Sequence, residues 1–364
     1  MIASSGRLRG AELSLAEFLR HRPADVQAHA LVMGEGGLHR RLEELGVSTW
    51  TARGYDERPS ARRVARFTRS LMALLAELQP DVLLAAGVKA ALLAVPGARL
   101  SGVPIVWEKV DFSHDALLAR SLGAAVNGVV GVSEAVTAPL GAMRGRRLLD
   151  VIGPPMRLPD EPYRPPAGPQ PAIGTLAALT PYKGQHHILA AAGLLSEEFP
   201  WLRVVLAGEP LAAYPDYPAE LRELAGELGI SERVEVRGFV EDVTEVLGEL
   251  AVYVNATYRD DRGFGLEGLG GAMLEASWVG LPVVATSGGG TPEGLVEGVT
   301  GTLVDSPDPA SLAAAIAPYL RDPQLARRTG EAGRAFTRER FAPQAAAERL
   351  FAALRVAATR GRSR

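Results

Sequence analysis

The amino-acid sequence predicts an α/β protein built of two doubly wound domains, and three observations support this fold class. Short runs of apolar and β-branched residues alternate with longer helical patterns along the chain, as in parallel sheets covered by helices. At 364 residues, the chain is long for one domain and ordinary for two. Residues 154–171 contain eight prolines, which disfavour a helix or an interior strand and indicate an interdomain linker.

The first domain is predicted to span residues 1–153. Its strands are expected near residues 26–32, 81–85, 104–107 and 128–132, with helical patterns at 61–78 and 88–95. A first strand would be short, because only residues 1–4 precede a glycine-rich turn at residues 5–10. This shortness suggests that the strand begins upstream of Met1.

The second domain is predicted to span residues 172–342. Its strands are expected near residues 172–177, 203–207, 234–237, 251–255, 282–286 and 302–304, and its helices near 184–196, 218–228, 242–249, 271–279 and 308–320. Two more helices are expected over residues 322–360, and the last, at about 343–360, is expected to pack on the first domain. Because open parallel sheets bind ligands at the carboxyl ends of their strands, we expect a ligand cleft between the domains.

Composition and charge exclude several classes of protein. Residues 1–153 carry 19 Lys and Arg against 15 Asp and Glu, and the remainder carries 20 against 27. This imbalance is too small to indicate a nucleic-acid partner. The absence of cysteine excludes disulfides and Cys-ligated metals. No run approaches the ~18 apolar residues of a membrane span, and the N-terminal residues lack a signal peptide's apolar stretch, so we expect a cytoplasmic enzyme.

Two patterns resemble other kinds of site but do not fit them. Residues 263–268 have the spacing GxGxxG, but a dinucleotide fingerprint belongs at the first strand–helix turn of a domain, with an acidic residue about 20 positions later. The six histidines show no metal-ligand spacing. The sequence therefore predicts neither a dinucleotide cofactor nor a metal.

The most informative segment carries two carboxylates eight residues apart, Glu267 and Glu275, with Gly268, Gly270 and Gly271 between them. Eight helical residues span about 12 Å, whereas the carboxylate pairs of glycoside hydrolases lie roughly 5–9.5 Å apart. The spacing instead suits two contacts with one long ligand, and glycine N–H groups at a helix start can bind an anion. A diphosphate between two hydroxyl-rich sugars fits this order. Spacing alone leaves open an amphipathic helix with two solvated glutamates.

Two further turns are suited to such a ligand. Lys183 lies in the sequence TPYKG between a strand and a helix, where a lysine can neutralise a phosphate. A surface lysine is the alternative. Gly6 and Gly10 lie in the sequence GRLRGAE, a glycine turn that opens the first helix.

These motifs resemble those of the GT4 family of GT-B glycosyltransferases, and the resemblance covers nearly the whole chain. The segment from Glu267 to Glu275 is similar to that family's E-x7-E motif, and TPYKG is similar to its phosphate-binding lysine turn. Residues 282–305 resemble the family's segment from the sixth strand onward, residues 132–134 its VSE turn, and RLRGAE its N-terminal glycine loop. The resemblance implies the GT-B fold, in which two Rossmann-like domains face a central cleft.

The resemblance also implies an activity and roles for the matching residues. The activity is transfer of a sugar, with retention of configuration, from a nucleotide diphosphate-sugar (UDP- or GDP-linked) to an acceptor hydroxyl, without a metal or other cofactor. Glu267 and Lys183 would be the catalytic residues; Glu267 would hold hydroxyls of the donor sugar, and Glu275 would hold the ribose. The diphosphate would be bound by Lys183, Gly10, Gly268, Leu269, Gly270 and Gly271.

On the donor side the chain departs from the family pattern at Ala178, where the family commonly has an arginine. Arg259 and Arg262, just before the glycine loop, are the candidates to replace that arginine at the diphosphate. The lost charge-assisted hydrogen bond would be worth about 1.5–3 kcal/mol.

On the acceptor side Val110 stands where the family often has a histidine. Asp111 and His114 are the expected acceptor-side residues. The two departures support one alternative, a degenerate GT-B protein that binds a nucleotide-sugar or a partner without turnover. A GT-B sugar-nucleotide epimerase is a further alternative. The acceptor, which the sequence leaves unidentified, is a cell-envelope glycan, a lipid-linked glycan or a small molecule.

A basic stripe on the predicted helix 61–78 suggests peripheral contact with the inner face of a membrane. It comprises Arg58, Arg62, Arg63, Arg66 and Arg69, and is followed by Leu71, Leu74, Leu75 and Leu78. Basic residues are attracted to anionic lipid, and arginine stems can lie along apolar surface. A solvated face paired with Asp56 and Glu57 is the alternative.

Overall fold

The computed structural model describes residues 1–54, 60–157, 171–261, 263 and 265–362. The chain forms two compact units, of which the first comprises Met1–Arg157 and Phe341–Arg364 and the second comprises Leu158–Arg340. Each unit contains one sheet in which every pairing is parallel. Most of the predicted linker (residues 158–170) and Arg58 with its acidic neighbours lie outside the described residues.

The first unit has seven strands in the order β3-β2-β1-β4-β5-β6-β7. They are β1 (Ile2–Ala3), β2 (His29–Met33), β3 (Ser48–Ala52), β4 (Leu83–Ala86), β5 (Ile105–Lys109), β6 (Gly128–Gly131) and β7 (Leu148–Val151). Although β1 has two residues, it lies at the centre and pairs with both β2 and β4. The strand order reverses between β1 and β4, which is where a doubly wound sheet opens its ligand crevice.

Seven helices of the first unit precede the second unit in the described chain. They are α1 (Gly10–Arg20), α2 (Gly37–Glu44), α3 (Ala61–Leu78), α4 (Gly87–Leu100), α5 (Asp115–Ala125), α6 (Glu134–Thr137) and α7 (Arg144–Arg147). Two apolar layers enclose the sheet. Val106 of β5 packs in the layer that includes Leu15 of α1, and Trp107 of β5 packs in the opposite layer with Phe67 of α3.

The end of α3 differs from the surface expected of a membrane-docking helix. Leu71 and Leu75 are buried in the layer around Trp107, and Leu74 and Leu78 are half-buried. These leucines therefore contribute to the core of the first unit, because their spacing of three and four residues places them on one helix face.

The second unit has six strands in the order β10-β9-β8-β11-β12-β13. They are β8 (Ala172–Leu176), β9 (Arg203–Ala207), β10 (Val234–Arg237), β11 (Leu250–Asn255), β12 (Val283–Thr286) and β13 (Gly301–Val304). The helices are α8 (Gln185–Leu195), α9 (Tyr217–Glu227), α10 (Val243–Glu249), α11 (Gly271–Val279), α12 (Pro309–Arg321) and α13 (Pro323–Arg340). The predicted α/β class with two doubly wound sheets is confirmed.

The last helix, α14 (Pro343–Arg362), belongs to the first unit. Its buried residues, including Leu350 and Phe351, join the apolar layer that contains Val106. Two ion pairs border this contact, one between Arg349 and Asp150 (2.6 Å) and one between Arg355 and Asp25 (2.8 Å). The first unit is therefore assembled from both ends of the sequence.

Candidate functional site

The loop after β8 carries Lys183 to the carboxyl end of the second sheet. Residues Pro181–Lys183 form a 3₁₀ turn, in which the Lys183 N–H donates to Thr180 O at 3.0 Å. Gly184 follows with a φ of +71°, and a Cβ added there would lie 2.2 Å from Ala256 O. Only glycine therefore allows this turn to lie against the residue that follows β11.

Glu267 is held at the same edge of the sheet by two side chains. Its Oε1 accepts hydrogen bonds from Lys183 Nζ at 2.5 Å and from Thr257 Oγ1 at 3.0 Å. Burial alone raises the pKa of Glu267, but the charge of Lys183 and the hydrogen bonds from Lys183 and Thr257 outweigh burial, so its pKa lies below the usual value. Glu267 is therefore a carboxylate at neutral pH.

Helix α11 begins immediately after this carboxylate. Gly270 has a φ of +86°, and its carbonyl accepts the first helical hydrogen bond from Leu274 N–H at 3.0 Å. No side chain caps the N-terminus, and Gly271 is exposed, whereas Leu269 is buried. A glycine at the helix start leaves the first backbone N–H groups accessible, with the positive end of the helix dipole behind them.

Glu275 lies one to two turns into α11 and is 5% exposed. Tyr253, in β11, is near both glutamates. Burial raises the pKa of its phenol, and the negative charges of Glu267 and Glu275 raise it further, against hydrogen bonds with Thr175 and Leu176. Glu267 therefore lies just before the start of α11 and Glu275 within it, and both are close enough to Tyr253 for their charges to raise its pKa.

The candidates for the missing arginine are only partly described. Arg259 is exposed in the loop after β11, and its guanidinium lies beside Gly263. Arg262 lies outside the described residues. At the position of the family arginine, the Ala178 carbonyl accepts a hydrogen bond from Gln185 Nε2 at 2.9 Å, so that position holds a backbone contact to α8.

The first unit carries the remaining predicted residues at the carboxyl end of its own sheet. Gly10 is the first residue of α1, is exposed, and has open space where a Cβ would lie. Asp111 and His114 lie in the loop between β5 and α5. Asp111 is half-buried, and its Oδ1 accepts from Ser113 N–H at 2.9 Å. His114 is exposed with a φ of +58°.

Several charged residues of this first-unit edge were not predicted from the sequence. Lys109, at the end of β5, is 1% exposed and bonds to Asp115. Its neighbour Glu108 is 5% exposed, and Glu12 of α1 is 7% exposed. Burial and the nearby Glu12 raise the pKa of Glu108 to about 7. In the sequence, the pair of adjacent charged residues at the end of an apolar strand marks this edge, but it does not show that both residues are buried.

Two further properties concern only the described residues. Nowhere among them do three or more His, Asp or Glu side chains group closely enough to hold a metal ion. In the same residues, no helix combines the length and the apolar character needed to cross a membrane.

Comparison with known proteins assigns a family to the second unit. Residues 163–336 match the family model described as Glycosyl transferases group 1. The second unit is a group 1 glycosyltransferase domain. The residues discussed above, from Lys183 to Glu275, all lie within the matched segment of this group 1 domain, and the resemblance to GT-B glycosyltransferases is confirmed.

Curated relatives resemble the group 1 domain in sequence. Over 169 residues, the chain is 34% identical to a GDP-mannose-dependent α-(1-6)-phosphatidylinositol monomannoside mannosyltransferase of Mycolicibacterium smegmatis, covering 46% of this chain and 43% of the relative. Over 154 residues, it is 38% identical to a D-inositol 3-phosphate glycosyltransferase of Corynebacterium urealyticum, covering 41% of this chain and 35% of the relative. The matches therefore span less than half of these relatives.

Solved structures resemble the chain over nearly its whole length. Anabaena Alr3699/HepE, in complex with UDP and glucose, has a TM-score of 0.82 at 21% identity and covers 97% of this chain and 98% of its own. The lipopolysaccharide outer core galactosyltransferase WaaB in its apo form has a TM-score of 0.73 at 15% identity, covering 97% of each chain. At these identities the likeness concerns the fold, which is GT-B.

Proposed function

We propose that this protein is a retaining glycosyltransferase that moves a sugar from a nucleotide diphosphate-sugar to an acceptor hydroxyl. The observation that carries the proposal is the position of Glu267, an ionised carboxylate bonded to Lys183 and Thr257 directly before the uncapped start of α11. A carboxylate, a lysine and the N-terminus of a helix at one edge of the sheet match the hydroxyls and the diphosphate of one donor.

When the donor binds, the ion pair between Lys183 and Glu267 separates, and each side chain binds a different part of the donor. The ammonium turns to the diphosphate, and the carboxylate accepts hydrogen bonds from hydroxyls of the sugar. Thr257 keeps its hydrogen bond to Glu267 Oε1 during this exchange. Glu275, which is buried in α11, accepts hydrogen bonds from the ribose.

The reaction requires stabilisation of the departing diphosphate. As the bond between the sugar and the diphosphate breaks, negative charge grows on the phosphate oxygens, and Lys183 and the amides of residues 268–271 stabilise it. In the retaining mechanism the acceptor hydroxyl attacks on the face that the diphosphate leaves, and a phosphate oxygen takes its proton. Lysine and helix amides supply the counter-charge, so we propose that the reaction needs no metal.

The proposed partners are a UDP- or GDP-sugar and an acceptor that is a cell-envelope glycan, a lipid-linked glycan or a small molecule. UDP and glucose are bound in the Anabaena structure, and GDP-mannose is the donor named for the mycolicibacterial relative, so both nucleotides belong in the first screen. We place the reaction in the cytoplasm, at the inner face of the membrane when the acceptor is lipid-linked.

A thermal-shift and calorimetric screen of UDP-glucose, GDP-mannose and ADP-glucose tests donor recognition. A specific donor raises the melting temperature by mass action. Glu275→Ala is expected to abolish detectable donor binding, because ribose hydroxyls then lose their partner in a closed site. Glu223→Ala, an exposed glutamate of α9, is the matched control. Unchanged donor affinity in Glu275→Ala would remove ribose recognition from this residue.

Product analysis with each bound donor and a panel of glycan, lipid-linked and small acceptors tests the reaction. Transfer with retained configuration, undiminished in EDTA, supports the proposal. Activity that disappears in EDTA and returns with Mg²⁺ or Mn²⁺ contradicts the metal-independent mechanism. The second candidate is a protein that binds the donor without turnover, and it is favoured by Ala178, which leaves the diphosphate without the family arginine. Donor binding with no product would support this candidate. An altered free nucleotide-sugar would indicate an epimerase.

A further inference from the structure

Lys109 lies at the carboxyl end of β5 and is almost completely buried, with 1% of its surface exposed. Strand alternation places it on the same face as Trp107, away from Glu108. A buried lysine is strongly destabilising unless its ammonium is paired and hydrogen-bonded. The position of Lys109 therefore requires specific partners.

Those partners lie at both ends of the loop that joins β5 to α5. Lys109 Nζ donates to Asp111 O at 2.6 Å, at the start of the loop. It also contacts both carboxylate oxygens of Asp115, the first residue of α5, at 2.7 Å and 3.0 Å. The ammonium lies 5.6 Å from the ring centres of both Trp107 and Phe112. One side chain thus ties the two ends of the loop together.

The loop itself has a conformation that needs such support. The Asp111 carboxylate accepts from Ser113 N–H at 2.9 Å, and Asp115 N–H donates to Phe112 O at 3.3 Å. His114 has a φ of +58° and a ψ of 20°, a left-handed conformation that is unfavourable for residues other than glycine. The carbonyl and carboxylate held by Lys109 lie on either side of this strained residue.

We propose that Lys109 is a positioning residue that fixes the loop of residues 110–114 and thereby presents Asp111 and His114 to the acceptor. The acceptor role rests on the proposed glycosyltransferase function, whereas the fixing of the loop does not. Val110, which replaces the histidine of the family pattern, contributes no polar side chain here, so the polar groups available to an acceptor in this loop depend on the backbone that Lys109 holds.

Three variants separate positioning from simple stabilisation. Asp115→Leu leaves a buried ammonium unpaired and should be the least stable. Lys109→Met with Asp115→Leu replaces both members of the pair by apolar side chains, which is often neutral for stability. In Lys109→Met and in the double variant, the bond to Asp111 O is lost, so the amides of Ser113 and Asp115 should exchange hydrogen about tenfold faster or more than in the wild type. Glu108→Gln, on the opposite face of β5, is the matched control and should leave these amides unchanged.

A double variant with the wild-type melting temperature but fast exchange at Ser113 and Asp115 supports the positioning role. Wild-type exchange rates at these amides in the double variant would overturn it. Where the product screen identifies an acceptor, the KM for that acceptor should rise about tenfold in the double variant, with the donor KM unchanged; an unchanged acceptor KM overturns the link to the acceptor. If the screen finds no transfer, the proposed function fails, and the exchange rates still decide whether Lys109 fixes the loop.

Discussion

At the scale of single residues, Glu108 and Lys109 lie next to each other at the end of β5, and their side chains point to opposite faces of the first sheet. Lys109 is paired with Asp115, whereas Glu108 faces α1, where the negative charge of another carboxyl, Glu12, acts on it. A buried carboxyl beside a second carboxyl avoids the charged form. Glu108 therefore holds its proton close to neutral pH, which makes it a titratable group of the folded state.

The titration of Glu108 predicts a stability that falls as pH rises. The folded pKa of about 7 lies above the ordinary value of 4.5, so the folded state binds more protons between these two pH values. The contribution of Glu108 to the free energy of unfolding is fully present below about pH 4.5. It is lost as pH rises through about 7, a loss of about 3 kcal/mol. Urea unfolding at a series of pH values should show this decline in the wild type and a flatter profile in Glu108→Gln. Glu77→Gln, at an exposed site, is the control, and parallel profiles for Glu108→Gln and wild type would contradict the prediction.

The proposed role of Lys183 predicts that its removal lowers the turnover number more than the donor affinity. Lys183→Ala is expected to lower kcat roughly 100-fold, because the charge on the leaving diphosphate is greatest in the transition state, while the donor Kd changes less than about tenfold. Without the ammonium, burial acts on Glu267 with only the Thr257 bond to oppose it, so the pKa of Glu267 should rise. Residual activity should then increase with pH.

Steady-state kinetics and calorimetry across a pH series measure both effects. Arg222→Ala, which removes an exposed cation of α9, is the control. A kcat equal to that of the wild type would show that Lys183 takes no part in the reaction.

At the scale of elements, sequence patterns located some helices and strands with their observed bounds and missed others. The helices over residues 61–78 and 271–279 and the strands over 203–207 and 234–237 were predicted with the observed bounds. β3 was missed because its residues, STWTA, are mostly half-buried and polar, so they carry no apolar run. β7 was missed because its short run, LLDV, contains an aspartate and directly follows an arginine-rich helix.

The residues of the site show the same division. Glu267, Glu275 and Lys183 were predicted because they lie in recognisable motifs, and the structure brings Lys183 and Glu267 into contact. Lys109 and Glu108 were not, because a charged residue in a sequence is expected on the surface. Their burial depends on partners contributed by other elements, α5 and α1, and no local pattern reports such pairings.

Helix α3 predicts a purely electrostatic attraction to anionic membranes. Arg62, Arg66 and Arg69 are exposed, but Leu71 and Leu75 are buried in the core and Leu74 and Leu78 are half-buried. Each exposed arginine can contribute about 1 kcal/mol near anionic lipid, so co-sedimentation with phosphatidylglycerol vesicles should occur at low salt and disappear at about 1 M salt. Replacing these three arginines by serine should abolish it.

The matched control replaces Arg222, Arg327 and Arg328, exposed cations of the second unit, and changes the net charge equally. Equal recovery of wild type and variants in the supernatant at low salt would exclude membrane docking by α3.

At the scale of the whole molecule, the first unit depends on the last helix for part of its core. Removing residues from 343 onward deletes Leu350 and Phe351 from the apolar layer around Val106 and breaks the pairs between Arg349 and Asp150 and between Arg355 and Asp25. We expect the truncated chain to lose the cooperative unfolding of the first unit, because buried apolar side chains each contribute about 1.5–3 kcal/mol.

Differential scanning calorimetry measures this prediction. The second unit, whose described strands and helices all lie between residues 171 and 340, should keep its transition in the truncated chain. A first-unit transition at the wild-type temperature would show that α14 adds nothing to that core.

The discontinuous first unit also has a consequence for how the protein is made. A chain leaves the ribosome from its N-terminus, and domains usually fold in that order. Here the sheet of the first unit is synthesised before the second unit, but the helix that covers part of it emerges only after the second unit. The second unit, encoded in one continuous stretch, is available to fold before the first can be completed. Until α14 has been synthesised, the nascent chain therefore exposes the apolar surface that this helix will cover, and this surface is where a chaperone would bind.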